Sequence, residues 1–406
     1  MQKILNRAET YVFYFLIFAI PFETRLIVAR WTRPFNEWTA GFVYGTDILI
    51  FLLFVFWIVR VLKTRSSGGI KSAFAETFKL KWSNPHLWLI GFFIVSALSV
   101  FNSRIVGLSL YQLLKLAEFI GFYFYLRSAF GKVYKFREVL TVIIASGIFQ
   151  AVIAIAQYFK QGSLGLKLLG ESPLSVNITG VAIFIADSEK YLRAYGTTPH
   201  PNVLAAWLML AIFAFYNYYF YSHVRGNSPS EAQKAKEGFW VLGYPVLLVG
   251  LFFTFSRIII GLWALGTTIG ILLLFKKSLR GFLAATRQYL IAIITVTLVT
   301  SVLFTAFFWP QVKSRVLVSM DEEAVTQRIF YNKIAESIIT ANPIFGVGIG
   351  QSVPQLMNKL KHWPANFYQP VHNIYLLIAS ETGLIGVGTF LLFLFFGFWR
   401  FIRRAD

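Results

Sequence analysis

Val139-Leu-Thr-Val-Ile-Ile-Ala-Ser-Gly-Ile-Phe-Gln-Ala-Val-Ile-Ala-Ile-Ala-Gln-Tyr158 carries no charged side chain and no two-residue alternation of apolar and polar positions. As a helix rising about 1.5 Å per residue, such a run crosses the roughly 30 Å hydrocarbon core of a bilayer with all its backbone groups satisfied internally. Comparable runs recur at 9–28, 44–62, 87–101, 108–126, 202–220, 239–255, 258–275, 289–307 and 372–402, and 57% of the 406 residues are hydrophobic. The pattern predicts an all-α polytopic membrane protein with about 10–12 transmembrane helices. Residues 1–406 are expected to form one polytopic domain, with 308–371 as a large extracytoplasmic loop subdomain containing amphipathic helices.

The net charge of +20 invites a nucleic-acid reading, but Lys and Arg lie between the apolar runs rather than on a soluble face. Arg60, Lys63, Arg65, Lys71, Lys79 and Lys81 face only Glu76 in the 60–86 loop, and Arg127, Lys132, Lys135 and Arg137 face only Glu138 in the next. Both loops are expected in the cytoplasm by the positive-inside rule, and anionic lipid head groups account for the remaining basicity without nucleic acid. Alternation places 221–238 and 276–288 inside as well, and the long loops 159–201 and 308–371 outside. The N-terminal run Tyr11–Ile20 follows Lys3 and Arg7 without a small-residue cleavage site and reads as an uncleaved first span. The chain has no cysteine, which excludes disulfides, thiolate metal sites and thiol nucleophiles.

Within the outer loop, Thr326–Ala341 has helical periodicity, with Ile329, Ile334 and Ile338 near one face, and Asn342-Pro343 ends it. Gly346-Val-Gly-Ile-Gly350 follows without a preceding strand, so it is no dinucleotide fingerprint and reads as flexible backbone near a site. The final run, His372–Ile402, is expected to be one kinked span, with Gly383, Gly386 and Gly388 as the weak point. Lys115 and Glu118, three apart in the fourth span, are expected to neutralise each other.

Candidate functional residues gather at the outer ends of the spans. Thr254-Phe-Ser256-Arg257 puts a guanidinium in the briefest of outward turns, where its fork suits phosphate oxygens and where positive charge runs against the topological bias. Arg193-Ala-Tyr-Gly-Thr-Thr-Pro-His200-Pro-Asn202 ends the first long loop; Asn202 is expected to cap the next span with His200 wet at the interface, and Arg193 to reach substrate. Arg328 belongs either to a solvated salt-bridging face or to a site. His372-Asn373 sits where the second loop meets the last span, either as a polar anchor or as a proton acceptor near neutral pH. Glu381, nine residues on, is either paired within the bundle or placed at the kink. The outer loops contain no HExxH, DxD or aspartate-rich cluster, which disfavours metal-dependent chemistry.

Taken in order, Arg193 to Asn202, Thr254-x-Ser256-Arg257, Arg328, Asn342-Pro343-x2-Gly346-Val-Gly348-x-Gly350 and His372-Asn373-x7-Glu381-x-Gly383 resemble the O-antigen ligase and polymerase superfamily. The resemblance implies a metal-independent, cofactor-free, inverting glycosyltransferase in the bacterial inner membrane, with its site facing the periplasm. It implies an undecaprenyl-pyrophosphate-linked glycan as donor and a lipid A-core or glycan hydroxyl as acceptor, among membrane lipids. It further implies His372 as the catalytic residue and Arg257, Arg328 and Arg193 as pyrophosphate ligands, with Asn373, Ser256, His200 and Glu381 in support. A polymerase and a protein O-oligosaccharyltransferase are variants of the same chemistry. A transporter using Lys115, Glu118 and Asp47 as a midplane relay is the rival from another class.

Overall fold

The computed structural model describes residues 2–64, 82–224, 231–274, 280–316, 323–361, 363–364 and 367–405. The described helices are α1 (Gln2–Ala19), α2 (Gly45–Thr64), α3 (Pro85–Ser99), α4 (Val106–Ala129), α5 (Phe136–Lys160), α6 (Pro201–Val224), α7 (Glu231–Phe253), α8 (Arg257–Leu274), α9 (Arg280–Phe307), α10 (Trp309–Val316), α11 (Glu323–Ala341), α12 (Ser352–Lys359) and α13 (Ile374–Ala405). Two small hairpins interrupt them, β1 (Arg25–Arg30) with β2 (Ala40–Tyr44) and β3 (Ile183–Ala186) with β4 (Glu189–Leu192). Each of the ten apolar runs carries a helix. Six described segments are long and apolar enough to cross a membrane, Gly45–Leu62, Pro85–Asn102, Phe136–Lys160, Pro201–Tyr219, Leu290–Phe307 and Ile374–Arg403, and Leu242–Phe253 and Arg257–Leu273 are shorter apolar helices. Arg65, Lys71, Lys79 and Lys81 of the first basic loop, Lys276 and Lys277 of the last, and Asp321 and Glu322 lie outside the described residues.

The first run departs from expectation at its end. The helix expected over 9–28 begins at Gln2 and stops at Ala19, because Pro21 cannot continue the backbone ladder, and Leu26-Ile27-Val28 then extend as strand β1. Lys115 and Glu118 do pair, at 3.2 Å. Asp47 accepts the Tyr44 N–H at 2.8 Å and so closes the start of α2.

By its internal contacts the chain forms two compact units, one of Met1–Arg25, Tyr44–Leu49 and Ala129–Val318, the other of Leu26–Val43, Ile50–Ser128 and Ser319–Asp406. The segment 308–371 is therefore shared, its first residues belonging to one unit and the rest to the other.

In the first unit α5, α6 and α7 pack side by side around Ile144, Leu204, Leu208, Phe215, Leu247 and Phe253. Small residues allow the close approach: a Cβ added to Gly147 would fall 2.3 Å from the Ala211 Cβ, and one on Gly250 2.6 Å from that of Ala151. At the α5 end Tyr158 stacks on Phe253 with ring centres 4.1 Å apart, next to Phe255, Phe304 and Phe308. The β3–β4 hairpin turns through Asp187 and Ser188, both at positive φ, and packs under α10.

In the second unit α3 lies along α13, and α11 and α12 pack on the start of α13. Tyr331, Ala335, Val353, Leu356, Tyr368 and Val371 form a small core within the 308–371 segment. Helix α11 starts three residues before the expected position and ends at Ala341, ahead of Asn342-Pro343.

Candidate active site

In the first unit two chain segments are tied together around one side-chain amide. Asn202 Oδ1 accepts from Arg193 Nη2 at 2.7 Å and from Ser256 Oγ at 2.9 Å, while Arg193 Nε donates to the Thr254 carbonyl at 2.8 Å. Arg193 is buried (8% exposed), so these bonds form in a low-dielectric setting and hold the turn firmly. These bonds make Arg193 a brace of the turn that carries Arg257. The caps differ too. His200 Nδ1 accepts the Asn202 N–H at 3.1 Å and the His200 carbonyl accepts from Val203, so His200 is the cap of α6 and Asn202 is free to bridge the turn.

The turn itself is strained. Phe255 sits at φ +46°, a region costly for a bulky residue, and is held there by its buried ring against Phe184, with centres 4.5 Å apart. The Ser256 carbonyl then accepts from Ile260, which starts α8, and Arg257 stands half-buried as its first residue.

A second buried network supports the segment 193–198 from below. Gln157 Oε1 accepts the N–H groups of Tyr195 and Gly196, and its amide donates to the Gly196 carbonyl and to Glu171. Gln150 exchanges hydrogen bonds with Thr197 in the same manner, and Thr197 Oγ1 reaches the Pro21 carbonyl. Hydropathy hid both glutamines; two amides inside an otherwise apolar span were the available signal.

In the second unit His372 precedes α13. As a residue it is exposed, but its ring meets the buried Tyr331 ring edge-on at 6.1 Å, and Tyr331 Oη is fixed to the Phe367 carbonyl at 2.5 Å. Partial desolvation and, after it, the Arg328 cation hold the His372 pKa below the ordinary 6.5, a shift that favours the neutral, proton-accepting ring. Arg328 is exposed on α11, one turn before Tyr331. Asn373 Oδ1 accepts from the N–H groups of Tyr375 and Leu376, making Asn373 the cap that fixes where α13 begins.

Glu381 is placed at the kink. Its carboxylate accepts from Gly350 N, Ser352 N and Ser352 Oγ, and its carbonyl from Gly348 N. The glycine loop expected to be flexible is thus stitched to α13: Gly346, Gly348 and Gly350 all take positive φ, and Cβ atoms there would strike Glu381, Ser103 and Gln112. Fully buried Gln351 adds bonds to Ile105 and Ser109. Gly383 is the non-helical residue of α13, at φ 73° and ψ −177°, and a Cβ there would lie 2.0 Å from the Ile344 carbonyl oxygen.

The structure therefore groups the eight sequence-predicted residues as Arg193, His200, Ser256 and Arg257 in one unit and Arg328, His372, Asn373 and Glu381 in the other. Sequence reasoning missed Asn202 as a bridge, Tyr331, and the glutamines 150, 157 and 351. Among the described residues no three His, Asp or Glu side chains gather as a metal site would require.

No curated protein and no solved structure matches the chain. Residues 243–404, which carry the Arg257 turn, Arg328, the glycine loop and His372-Asn373, match the family model described as O-antigen ligase.

Proposed function

We propose that the protein is a metal-independent, inverting glycosyltransferase of the O-antigen ligase type. It would move a glycan from an undecaprenyl-pyrophosphate carrier to a hydroxyl of a lipid A-core acceptor at the outer face of the bacterial inner membrane. The observation that carries this reading is the match of residues 243–404 to the O-antigen ligase family, a stretch that sets His372 just before α13.

The chemistry follows from a neutral His372 ring. A nitrogen of His372 takes the proton of the acceptor hydroxyl as its oxygen attacks the anomeric carbon. The anomeric C–O bond to the carrier breaks, and its electron pair leaves on the pyrophosphate. The products are a glycoside of inverted configuration, imidazolium and undecaprenyl pyrophosphate; no electrons change hands, so no redox cofactor is called for. Arg257 and Arg328 are the guanidiniums assigned to the negative charge that develops on the leaving group. Arg193, Ser256 and His200 position the Arg257 turn, while Asn373 and Glu381 position the helix that follows His372. An acceptor hydroxyl on the growing glycan or on a protein would pass through the same step, and acceptor choice alone separates ligase from polymerase and from protein O-oligosaccharyltransferase.

The test is glycan transfer in vitro from purified lipid-linked donor. His372→Gln keeps a polar side chain but takes up no proton, so its rate should fall by about 10²–10⁴-fold. Full turnover by this variant would remove His372 from the mechanism.

A further inference from the structure

In the second unit the start of α3, the end of α4 and the last turns of α13 meet at the end of α13 remote from His372. Rings hold them together, Trp88 stacking on Phe396 and Tyr123 meeting Phe393 edge-on, each pair with centres 6.2 Å apart. Between them lies a cavity of about 400 Å³, with Arg127 and Arg400 in its wall beside His86, Tyr123, Gly397 and Phe401. Arg127 begins the second of the two basic loops expected in the cytoplasm, and α3 follows the first.

The two arginines come from different helices, and both charges act on the same His86 ring. No carboxylate lines the cavity, and among the described residues neither arginine pairs with one. Asn84 steers Arg400: its Oδ1 accepts from Arg400 Nη1 at 3.3 Å and caps α3 through the His86 N–H at 3.4 Å. His86 is buried (4% exposed), and its Nδ1 pairs with Tyr123 Oη at 2.9 Å. Among the described residues that nitrogen is the phenol's one acceptor, so the O–H donates to it and the ring proton sits on Nε2. Nε2 is buried with no partner among those residues. An anionic oxygen in the cavity beside it would supply the acceptor that the fold leaves out.

The surroundings are those of a lipid surface. Trp82, Phe398, Trp399 and Phe401 are exposed at the same helix ends, and such a belt of rings marks the head-group level of a bilayer. We infer that this cavity holds the head group of an anionic phospholipid, its phosphodiester oxygens between Arg127 and Arg400 and its glycerol against Gly397 and Phe401. Basic clefts between membrane helices on the cytoplasmic side take such head groups, and the guanidinium fork suits phosphate oxygens. A zwitterionic head group would bring its own cation against the two arginines. Free phosphate would bring nothing to the glycine and ring of the apolar wall.

Equilibrium binding to the full chain in detergent tests this, with dioctanoyl phosphatidylglycerol, dioctanoyl phosphatidylcholine and inorganic phosphate as probes. The parent should bind phosphatidylglycerol at least about tenfold more tightly than phosphatidylcholine, and Arg127→Gln combined with Arg400→Gln should erase that preference. Gly397→Leu keeps both cations, gains helix propensity and places its Cβ where nothing lies within 4 Å, so it should fold as the parent does. By filling the cavity it should still weaken phosphatidylglycerol about tenfold. Equal binding of the two lipids by the parent would overturn the inference. So would a double variant with a lowered unfolding midpoint and an intact lipid preference, since its arginines would then serve only the helix ends. Parent-like binding by Gly397→Leu would reduce the preference to surface charge and remove the site. Inorganic phosphate that displaces phosphatidylglycerol at equal concentration would make the ligand a free anion and overturn the lipid.

Discussion

At the scale of single residues, the chemistry rests on the protonation state of one ring. His372 has a pKa lowered first by desolvation and then by Arg328, so the folded protein favours the neutral base. The acid limb of kcat/KM, which reports the free enzyme, should therefore fall below the ordinary histidine value of about 6.5. Arg328→Gln removes the second cause, lets the pKa rise, and should move that limb to higher pH. A limb that stays put, measured by transfer rates between pH 5 and 8, would show that Arg328 does not act on the ring. His372 and Arg328 were legible as candidates because each carries a chemistry that stands out locally. Tyr331 was not, since it reaches His372 from a helix some forty residues upstream, and nothing in either local pattern announces that contact. Arg193 was legible as a residue, but its bond to the Thr254 carbonyl was not, because that partner lies 61 residues away.

Among the elements, hydropathy located every helix of the ten apolar runs and failed where apolar residues were not helical. Leu26-Ile27-Val28 score like a membrane span, yet after Pro21 they pair as a strand; period and composition cannot see a hydrogen-bond ladder made with residues 40–44. The kink of α13 was readable from its glycines, whereas the close fit around it was not. Gly383 combines a backbone region open almost only to glycine with a neighbouring carbonyl where a Cβ would go. Gly383→Ala should cost at least about 1–3 kcal/mol from the backbone conformation alone. The expected outcome is a clear fall in the thermal unfolding midpoint of the detergent-solubilised protein; an unchanged midpoint would mean the kink is not needed. The glycine loop 346–350 shows the same limit from the other side: glycine in sequence suggested freedom, and the fold uses it for close approach.

For the whole molecule, charge distribution predicts an orientation and composition limits chemistry. The 60–86 loop should lie in the cytoplasm and residue 314 outside it. With no native cysteine to interfere, Ser66→Cys and Ser314→Cys give a direct reading with an impermeant thiol reagent on spheroplasts: label at 314 only. Label at 66 only would invert the topology. Transfer should also continue under exhaustive chelation, because arginines are assigned the leaving-group charge. Loss of activity in EDTA with recovery in magnesium or manganese would reveal a metal requirement. One buried network bears on how such a molecule is made. Gln150 and Gln157 ride in α5, but the groups that satisfy them, Glu171, Thr197 and the backbone of Tyr195 and Gly196, are synthesised 14 to 47 residues later and belong to a segment expected across the membrane. During biogenesis α5 thus leaves the ribosome with two amides that have no lasting partner, and hydrocarbon is a poor place to keep them. On the expected topology, final seating of α5 should follow export of the loop after it, and the two glutamines would set that order.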